Sequence, residues 1–295
     1  MKGNIKHIWL LAALLFVMPL NAKKPVVEPA ALSVEQEQQF TYYWYAAKLA
    51  IDEERYGDAY ALLEFCHMIK PEDAKTLYLL GVMYMGLGQK EEALATFEHS
   101  YALQPKGKAD TDVLEQLKRL YLTDGQWKKA LVMQDELDAI NGYDAMSALT
   151  RYRIYALQNN PKEAIKAIDQ YLKTDPTNLQ FMLFRVELLE KTGAKPKMLY
   201  KQYDAILALD PGNLMILNNY AYLLATQKGD LQKAEKMSQI TIREQPNNPV
   251  YLDTYGWIMH LQGQDELAKF YLNKALRSAG EESKDEIQKH LQIVK

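Results

Sequence analysis

A small residue recurs along this chain every 34 to 37 residues, and a residue type that ends helices follows it at a constant distance. The recurring position holds Ala59, Ala93, Ala130, Ala164, Leu199, Ala234 and Ala268. Twelve residues later come Pro71, Pro105, Gly142, Pro176, Pro211, Pro246 and Gly280. Because proline cannot continue the interior of a helix, these positions predict the ends of helical units. A fixed period of this length indicates a stack of similar units that bury their apolar faces against one another.

Each unit is predicted to be a pair of helices joined by a tight turn. Five residues before the recurring small residue stand residue types that tolerate a left-handed turn: Gly88, Gly125, Asn159, Gly229 and Gly263. In the second unit, apolar residues recur at helical spacing on both sides of the turn: Leu77, Leu80, Gly81 and Tyr84, then Ala93, Phe97 and Tyr101. The small residues allow the two helices to approach closely, and the aromatic rings fill the space beside them.

These residues resemble the tetratricopeptide repeat, whose two helices carry a Leu-Gly-Tyr pattern and then an Ala-Phe-Ala pattern before a closing proline. The second unit matches at Leu77, Leu80-Gly81, Tyr84, Ala93, Phe97 and Pro105, and the seventh at Leu252, Tyr255-Gly256, Gly263, Ala268, Leu272 and Ala275. The resemblance covers residues 40–280. It implies an all-α fold, a right-handed α-solenoid of about seven helix-turn-helix repeats with a C-terminal capping helix.

The expected units are residues 40–73, 74–107, 111–144, 145–178, 179–213, 214–248 and 249–282. The capping helix is expected at residues 283–295, where Ile287, Leu291 and Val294 recur at helical spacing. Two units depart from the pattern. The fifth has Leu199 in the alanine position and Pro196 in the turn, and the third has Gln134 where an aromatic residue is expected. Irregular helix angles are expected in these two units.

The N-terminus predicts export. Lys2 and Lys6 precede an uncharged run, Ile8 to Leu20, which is shorter than the roughly 20 residues that a spanning helix needs. We expect residues 1–22 to be a signal peptide that is cleaved after Ala22, with an uncleaved anchor as the alternative, and residues 23–39 to be a linker. The segment from Asn213 to Ala275 resembles the terminal repeats of exported repeat proteins of Gram-negative bacteria, which implies a location in the periplasm or cell envelope.

Charge and motifs argue against nucleic acid as a partner and against catalysis. The chain has 35 basic and 38 acidic side chains and a formal charge of −3, without the basic balance of a nucleic-acid-binding domain. Cys66 is the single cysteine, so no intramolecular disulfide can form. No histidine is followed by a second metal-binding residue three or four positions later, and the sequence has neither a glycine-rich phosphate loop nor a G-x-S-x-G motif. We therefore expect no metal, no cofactor and no enzyme activity.

The resemblance implies that the first helix of each unit lines a concave surface that binds a protein or peptide. The residues expected to face this surface are Trp44, Lys48, Tyr78, Val82, Arg119, Arg153, Asn218, Tyr222, Asp253, Trp257 and His260. Aromatic and arginine side chains are the types that dominate interface energetics. An alternative for Tyr78 and Tyr222 is simple packing between helices.

The residues that clamp a terminal carboxylate in this family are Lys, Asn and Arg in successive units. The matching positions here, Trp44 and Lys48, Leu79, then Asp112 and Gln116, largely fail that pattern, so such a clamp is disfavoured. The sequence therefore predicts a non-catalytic adaptor of the cell envelope, with membrane proximity left open. Two alternatives are a self-associating structural protein and an accessory subunit of a secretion or assembly machine.

Overall fold

The computed structural model describes residues 31–294, and within this range the chain forms fifteen helices and no strand. The helices are α1 (Val34–Asp52), α2 (Tyr56–Ile69), α3 (Ala74–Gly86), α4 (Lys90–Ala102), α5 (Thr111–Thr123), α6 (Trp127–Asn141), α7 (Ala145–Leu157), α8 (Pro161–Tyr171), α9 (Leu179–Lys191), α10 (Pro196–Leu209), α11 (Leu214–Thr226), α12 (Leu231–Glu244), α13 (Pro249–Leu261), α14 (Asp265–Ser278) and α15 (Glu281–Ile293). Successive helices pack as seven pairs, followed by one further helix. The expected all-α solenoid of about seven repeats with a cap is confirmed.

The recurring small residue lies where the two helices of a unit touch. Its six alanines are completely buried, and Leu199 is buried as well. A glycine faces the same contact in the second and seventh units. A Cβ atom placed on Gly81 would lie 2.6 Å from the Phe97 ring, and one on Gly256 would lie 2.8 Å from Leu272. The Leu-Gly pattern thus reflects helices packed too closely for any larger side chain.

The turns within the units follow the sequence pattern in five units and depart from it in two. In these five units, a three-residue turn places a left-handed residue five positions before the recurring small residue, for example at Gly88 with φ 74°. Gly88, Gly125, Asn159 and Gly263 were predicted, whereas Glu54 in the first unit was not. In the fifth and sixth units the turn has four residues, and the left-handed residues are Gly193 and Lys228. The expectation for Gly229 was therefore wrong, because the added residue moves the left-handed position back by one.

The fifth and third units, which were expected to have irregular helix angles, differ in how closely their helices pack. Helices α9 and α10 pack less closely than the two helices of any other unit. The spacing between packed helices depends on the side chains at their contact, and Leu199 is larger than the alanine found elsewhere. In the third unit Gln134 is buried, and its amide donates to Asp138 at 2.7 Å and Ser147 at 3.3 Å. Helices α5 and α6 pack about as closely as those of the fourth unit, and the irregular helix angles expected in both units stay a prediction.

The first helix and the capping helix both begin earlier in the chain than the sequence suggested. The signal peptide predicted at residues 1–22 and residues 23–30 of the linker lie outside the described residues. The linker was expected to reach residue 39, but α1 begins at Val34, because Ser33 and Gln36 form a reciprocal capping box. At the other end α15 begins at Glu281 rather than residue 283, with two acidic residues in its first turn, where the helix dipole favours negative charge.

The capping helix covers the last repeat as predicted. Ile287 is buried with Leu252 and Ala275, Val294 is buried in the adjoining cluster, and Leu291 packs against both groups. The outer face of α1, at the opposite end, exposes the apolar side chains of Val34, Tyr42, Tyr45 and Leu49. Between residues 31 and 294, none of the helices combines the length and apolar character needed to cross a membrane.

We predict that Gly81→Ala lowers the free energy of unfolding by about 1–3 kcal/mol, because the new methyl group would displace the buried Phe97 ring. Gly86→Ala, at the end of the same helix, has open space around its Cβ position and is expected to be neutral or to stabilise by up to about 1 kcal/mol. Urea denaturation followed by far-UV circular dichroism measures both variants. Equal stability of the two variants would contradict the close approach of α3 and α4.

Candidate functional site

A cleft opens near the C-terminal end of the solenoid, between the α9–α10 turn, α11, α13 and α15. Its volume is about 610 Å³, which lies within the usual range of ligand pockets, roughly 300–1,000 Å³. Three of the residues expected on the concave surface line it, namely Asn218, Tyr222 and Asp253. The structure therefore brings the C-terminal part of the predicted surface together in one recess.

The cleft exists where the repeat pattern is broken. Gly193, Ala194, Pro196 and Leu199 all line it, and all four belong to the irregular turn and second helix of the fifth unit. Proline is well suited to the first turn of a helix, where its missing N–H needs no partner, so α10 starts directly after the longer turn. The looser packing of α9 and α10 leaves space that the other units fill with a tight helix pair.

Asn218 is a residue of the cleft wall whose buried amide oxygen lacks a partner. It lies on α11 and is only 4% exposed. Its Oδ1 atom is buried and accepts no hydrogen bond from any residue of the described chain. Leaving a buried acceptor unpaired costs about 1–3 kcal/mol. The residue lines the cleft, so a turn of its side chain would present the oxygen to a donor brought by a ligand and remove this cost.

Glu190 forms a second polar group on the cleft wall. Its carboxylate accepts hydrogen bonds from the Tyr203 hydroxyl, at 2.5 Å, and from the Asn219 amide, at 3.2 and 3.4 Å. Burial raises the pKa of the Tyr203 phenol, and the neighbouring Glu190 raises it further. The phenol therefore stays protonated and remains a donor that holds Glu190 in place.

The capping helix closes the cleft from the other side. Asp253 and His290 are both buried, and the His290 Nδ1 atom lies 2.9 and 3.0 Å from the two carboxylate oxygens of Asp253. Trp257 stacks on the His290 ring with centroids 4.4 Å apart. The Tyr222 hydroxyl donates to Glu286 on α15 at 3.2 Å. Burial, followed by the charge of Glu286, raises the pKa of Tyr222 to about 12.

The remaining predicted residues lie away from the cleft. Tyr78 packs on Phe97 with ring centroids 5.8 Å apart, which agrees with the alternative of packing between helices. Arg119 donates to Gln116, and Lys48 and Arg153 are exposed. Trp44 stacks on Phe40, Val82 packs between two core clusters, and His260 pairs with Asp265 at 2.7 Å. Binding by these residues stays a prediction.

Sequence reasoning missed Glu190, Asn219, Glu286 and His290. The departure of the fifth unit from the repeat pattern was the available signal for the first two, because an irregular turn beside a concave face leaves room for a recess. His290 gave no such signal, since its partner Asp253 lies 37 residues earlier in the chain.

The described residues contain no group of three or more His, Cys, Asp or Glu side chains placed to hold a metal ion.

Burial, with a smaller contribution from Asp73, raises the pKa of the Cys66 thiol to about 11. The thiol is therefore protonated at neutral pH, whereas the thiolate is the reactive form. The cleft offers carboxylate and amide oxygens that accept hydrogen bonds.

Comparisons with known proteins agree on the repeat and the fold. Residues 50–110 and residues 153–213 match two sequence models of the tetratricopeptide repeat. A comparison with curated protein sequences finds no match. The resemblance to tetratricopeptide repeats is thus confirmed over these two segments.

Among solved structures, the C-terminal part of a repeat-containing protein from Cytophaga hutchinsonii has a TM-score of 0.54 and 14% identity over 85% of this chain and 99% of that one. A chain of the Naa15/Naa10 assembly bound to HypK-THB has a TM-score of 0.58 and 11% identity over 87% and 39%. A tetratricopeptide repeat protein from Parabacteroides merdae has a TM-score of 0.45 and 18% identity over 87% and 99%. At these identities the likeness concerns the fold alone.

We predict that His290→Phe lowers the free energy of unfolding of the C-terminal repeats by about 1–3 kcal/mol. Phenylalanine keeps a ring for Trp257 to stack on but leaves the buried Asp253 carboxylate without its partner. His260→Phe is the matched control, because His260 also touches Trp257 and pairs with an aspartate, but that pair is more exposed. Its loss should cost less than about 1 kcal/mol.

Urea denaturation measures both costs, and amide hydrogen exchange in α15 shows whether the loss is local to the cap. If the two variants lose equal stability, the Asp253–His290 pair does not hold the cap.

Proposed function

We propose that this chain is a non-catalytic adaptor that binds an extended segment of a partner protein in the cleft between the fifth repeat and the capping helix. The observation that carries the proposal is the buried, unpaired Oδ1 atom of Asn218. A primary amide offers both an acceptor and donors, so it can pair with the N–H and C=O of a peptide group. Recognition of the backbone tolerates many side chains, as suits an adaptor.

The repeats themselves support a protein partner. Tetratricopeptide repeats serve in general as scaffolds for protein–protein interaction, and two segments of this chain match them. One of the structurally similar chains comes from the structure of Naa15/Naa10 bound to HypK-THB, in which several proteins are bound together. Fold similarity does not identify the partner, so the residues of the cleft carry the argument about what it binds.

The adaptor is further proposed to act outside the cytoplasm, in the cell envelope. Its support is the N-terminal sequence, with two lysines before an uncharged run that ends ahead of Ala22. The concave cleft would then hold a segment of another exported or envelope protein.

We predict that Asn218→Ala weakens peptide binding by roughly 5- to 150-fold, as expected for about 1–3 kcal/mol of lost hydrogen bonding in a buried site. Peptides are first selected on residues 23–295 from a displayed library of random extended sequences. Their affinities are then measured by fluorescence anisotropy for the parent and the variant. Since the amide oxygen has no partner in the described chain, its removal should leave thermal stability unchanged or slightly raised.

Asn273→Ala is the matched control, because Asn273 is exposed on α14 and its amide donates only to the Lys269 carbonyl. Loss of affinity in both variants, or in neither, would reject the cleft as the binding site. Failure of the parent chain to select any peptide would reject the proposed function.

We also predict that the full-length chain, expressed in a Gram-negative host, is recovered from the periplasmic fraction with Lys23 as its first residue. Fractionation followed by intact-mass measurement tests this expectation. An uncleaved chain in the membrane fraction would support the anchored alternative. An uncleaved chain in the cytoplasm would reject export.

A further inference from the structure

We infer that the segment bound in the cleft presents an arginine or lysine side chain to Glu190 and Glu286. This inference rests on the proposed function and names the chemistry by which the same site selects its partner. Glu190 stands at the end of α9 and Glu286 stands on α15, so the two carboxylates approach the cleft from different elements.

The cleft carries negative charge that the described residues do not neutralise. Asp253 has His290 as its partner, but Glu190 and Glu286 accept hydrogen bonds only from neutral groups, which are the Tyr203 and Tyr222 hydroxyls and the Asn219 amide. Between residues 31 and 294, neither glutamate forms an ion pair with a lysine, arginine or histidine. A cationic ligand would be attracted to this site and an acidic segment repelled.

Asn218 points independently to a ligand that donates hydrogen bonds. Its Oδ1 atom is buried and unpaired, and the residue lines the same cleft as the two glutamates, so a turn of its side chain would present the oxygen there. A guanidinium group carries five donors and an ammonium group three, and neither group has an acceptor. A basic side chain can therefore satisfy the glutamates while the peptide backbone that bears it serves Asn218.

The raised pKa values of two phenols agree with this negative field. Burial is the main cause for both, and the second cause is Glu190 for Tyr203 and Glu286 for Tyr222. The effect of the carboxylates thus reaches both sides of the cleft. Hydrogen bonds to charged groups are stronger than those between neutral groups, which favours a cation over a neutral amide as the occupant.

The apolar part of the lining suits a long side chain rather than a free ion. Pro196, Leu223 and Val250 line the cleft together with the polar residues. The aliphatic stems of lysine and arginine pack well on apolar surface while their charged heads stay among polar groups. The cleft offers both environments within one recess of about 610 Å³.

The test uses the peptides selected on residues 23–295 for the preceding experiment. Peptides that depend on Asn218 are sequenced, and their basic residue is replaced by norleucine, which keeps an aliphatic stem without the charge, and by glutamate. Affinities are measured by fluorescence anisotropy for the parent chain, for the double variant Glu190→Gln with Glu286→Gln, and for Glu286→Lys. Glu282→Gln is the matched control, since Glu282 is an exposed glutamate of α15 that does not line the cleft.

We expect the Asn218-dependent peptides to share a lysine or arginine, and norleucine at that position to weaken binding roughly tenfold or more. The double glutamine variant should bind the basic and norleucine peptides almost equally, and Glu286→Lys should weaken the basic peptide further. Glu286 is exposed, so its replacement keeps the test valid even if a change at Glu190 disturbs folding.

The outcomes separate this inference from the proposed function. Peptides that depend on Asn218 but lack a common basic residue would overturn the inference and leave the proposed function standing. An equal loss of affinity in Glu282→Gln and the double variant would also overturn it, since general charge would then be responsible. If no selected peptide depends on Asn218, both the proposed function and the inference fail.

Discussion

The solenoid depends on the contact between the two helices of each unit, where one small side chain is buried. Alanine occupies this contact in six of seven units and is completely buried in all six. In the second unit Gly81 and Ala93 both belong to it, and the ring of Phe97 fills the space beside them. Because the chain has a single cysteine and can form no intramolecular disulfide, its stability depends on this packing. Each unit then completes its core against the next.

The candidate site lies where this contact is relaxed. Leu199 replaces the alanine, α9 and α10 pack less closely than the two helices of any other unit, and the fifth unit no longer fills its share of the concave side. Polar side chains from other helices line the space, among them Asn218 on α11, Asp253 on α13 and Glu286 on α15. The loose packing of α9 and α10 would weaken a unit elsewhere in the solenoid. Here it forms a recess, because the capping helix α15 covers the space from the opposite side.

The sequence predicted the fold well, because the residue pattern required for close packing of two helices recurs in seven units. It also placed Asn218, Tyr222 and Asp253 on the face that lines the cleft. It could not reveal their partners, since Glu190 contacts a residue 29 positions later, and the links of α15 to Asp253 and Tyr222 span 37 and 64 positions. Such contacts depend on how units stack. The stacking of Trp257 on His290 is a contact of the same kind, and binding of a partner by Trp257 stays a prediction.

The position of the cleft along the solenoid makes its shape independent of the number of repeats. Every residue that lines it comes from position 190 or later, so the first four units contribute nothing to its walls. In a stack where units touch mainly their neighbours, repeats could be added or removed near the N-terminus without reshaping the recess. The number of repeats would then set the distance between the recess and the N-terminal end of the solenoid without changing the shape of the recess.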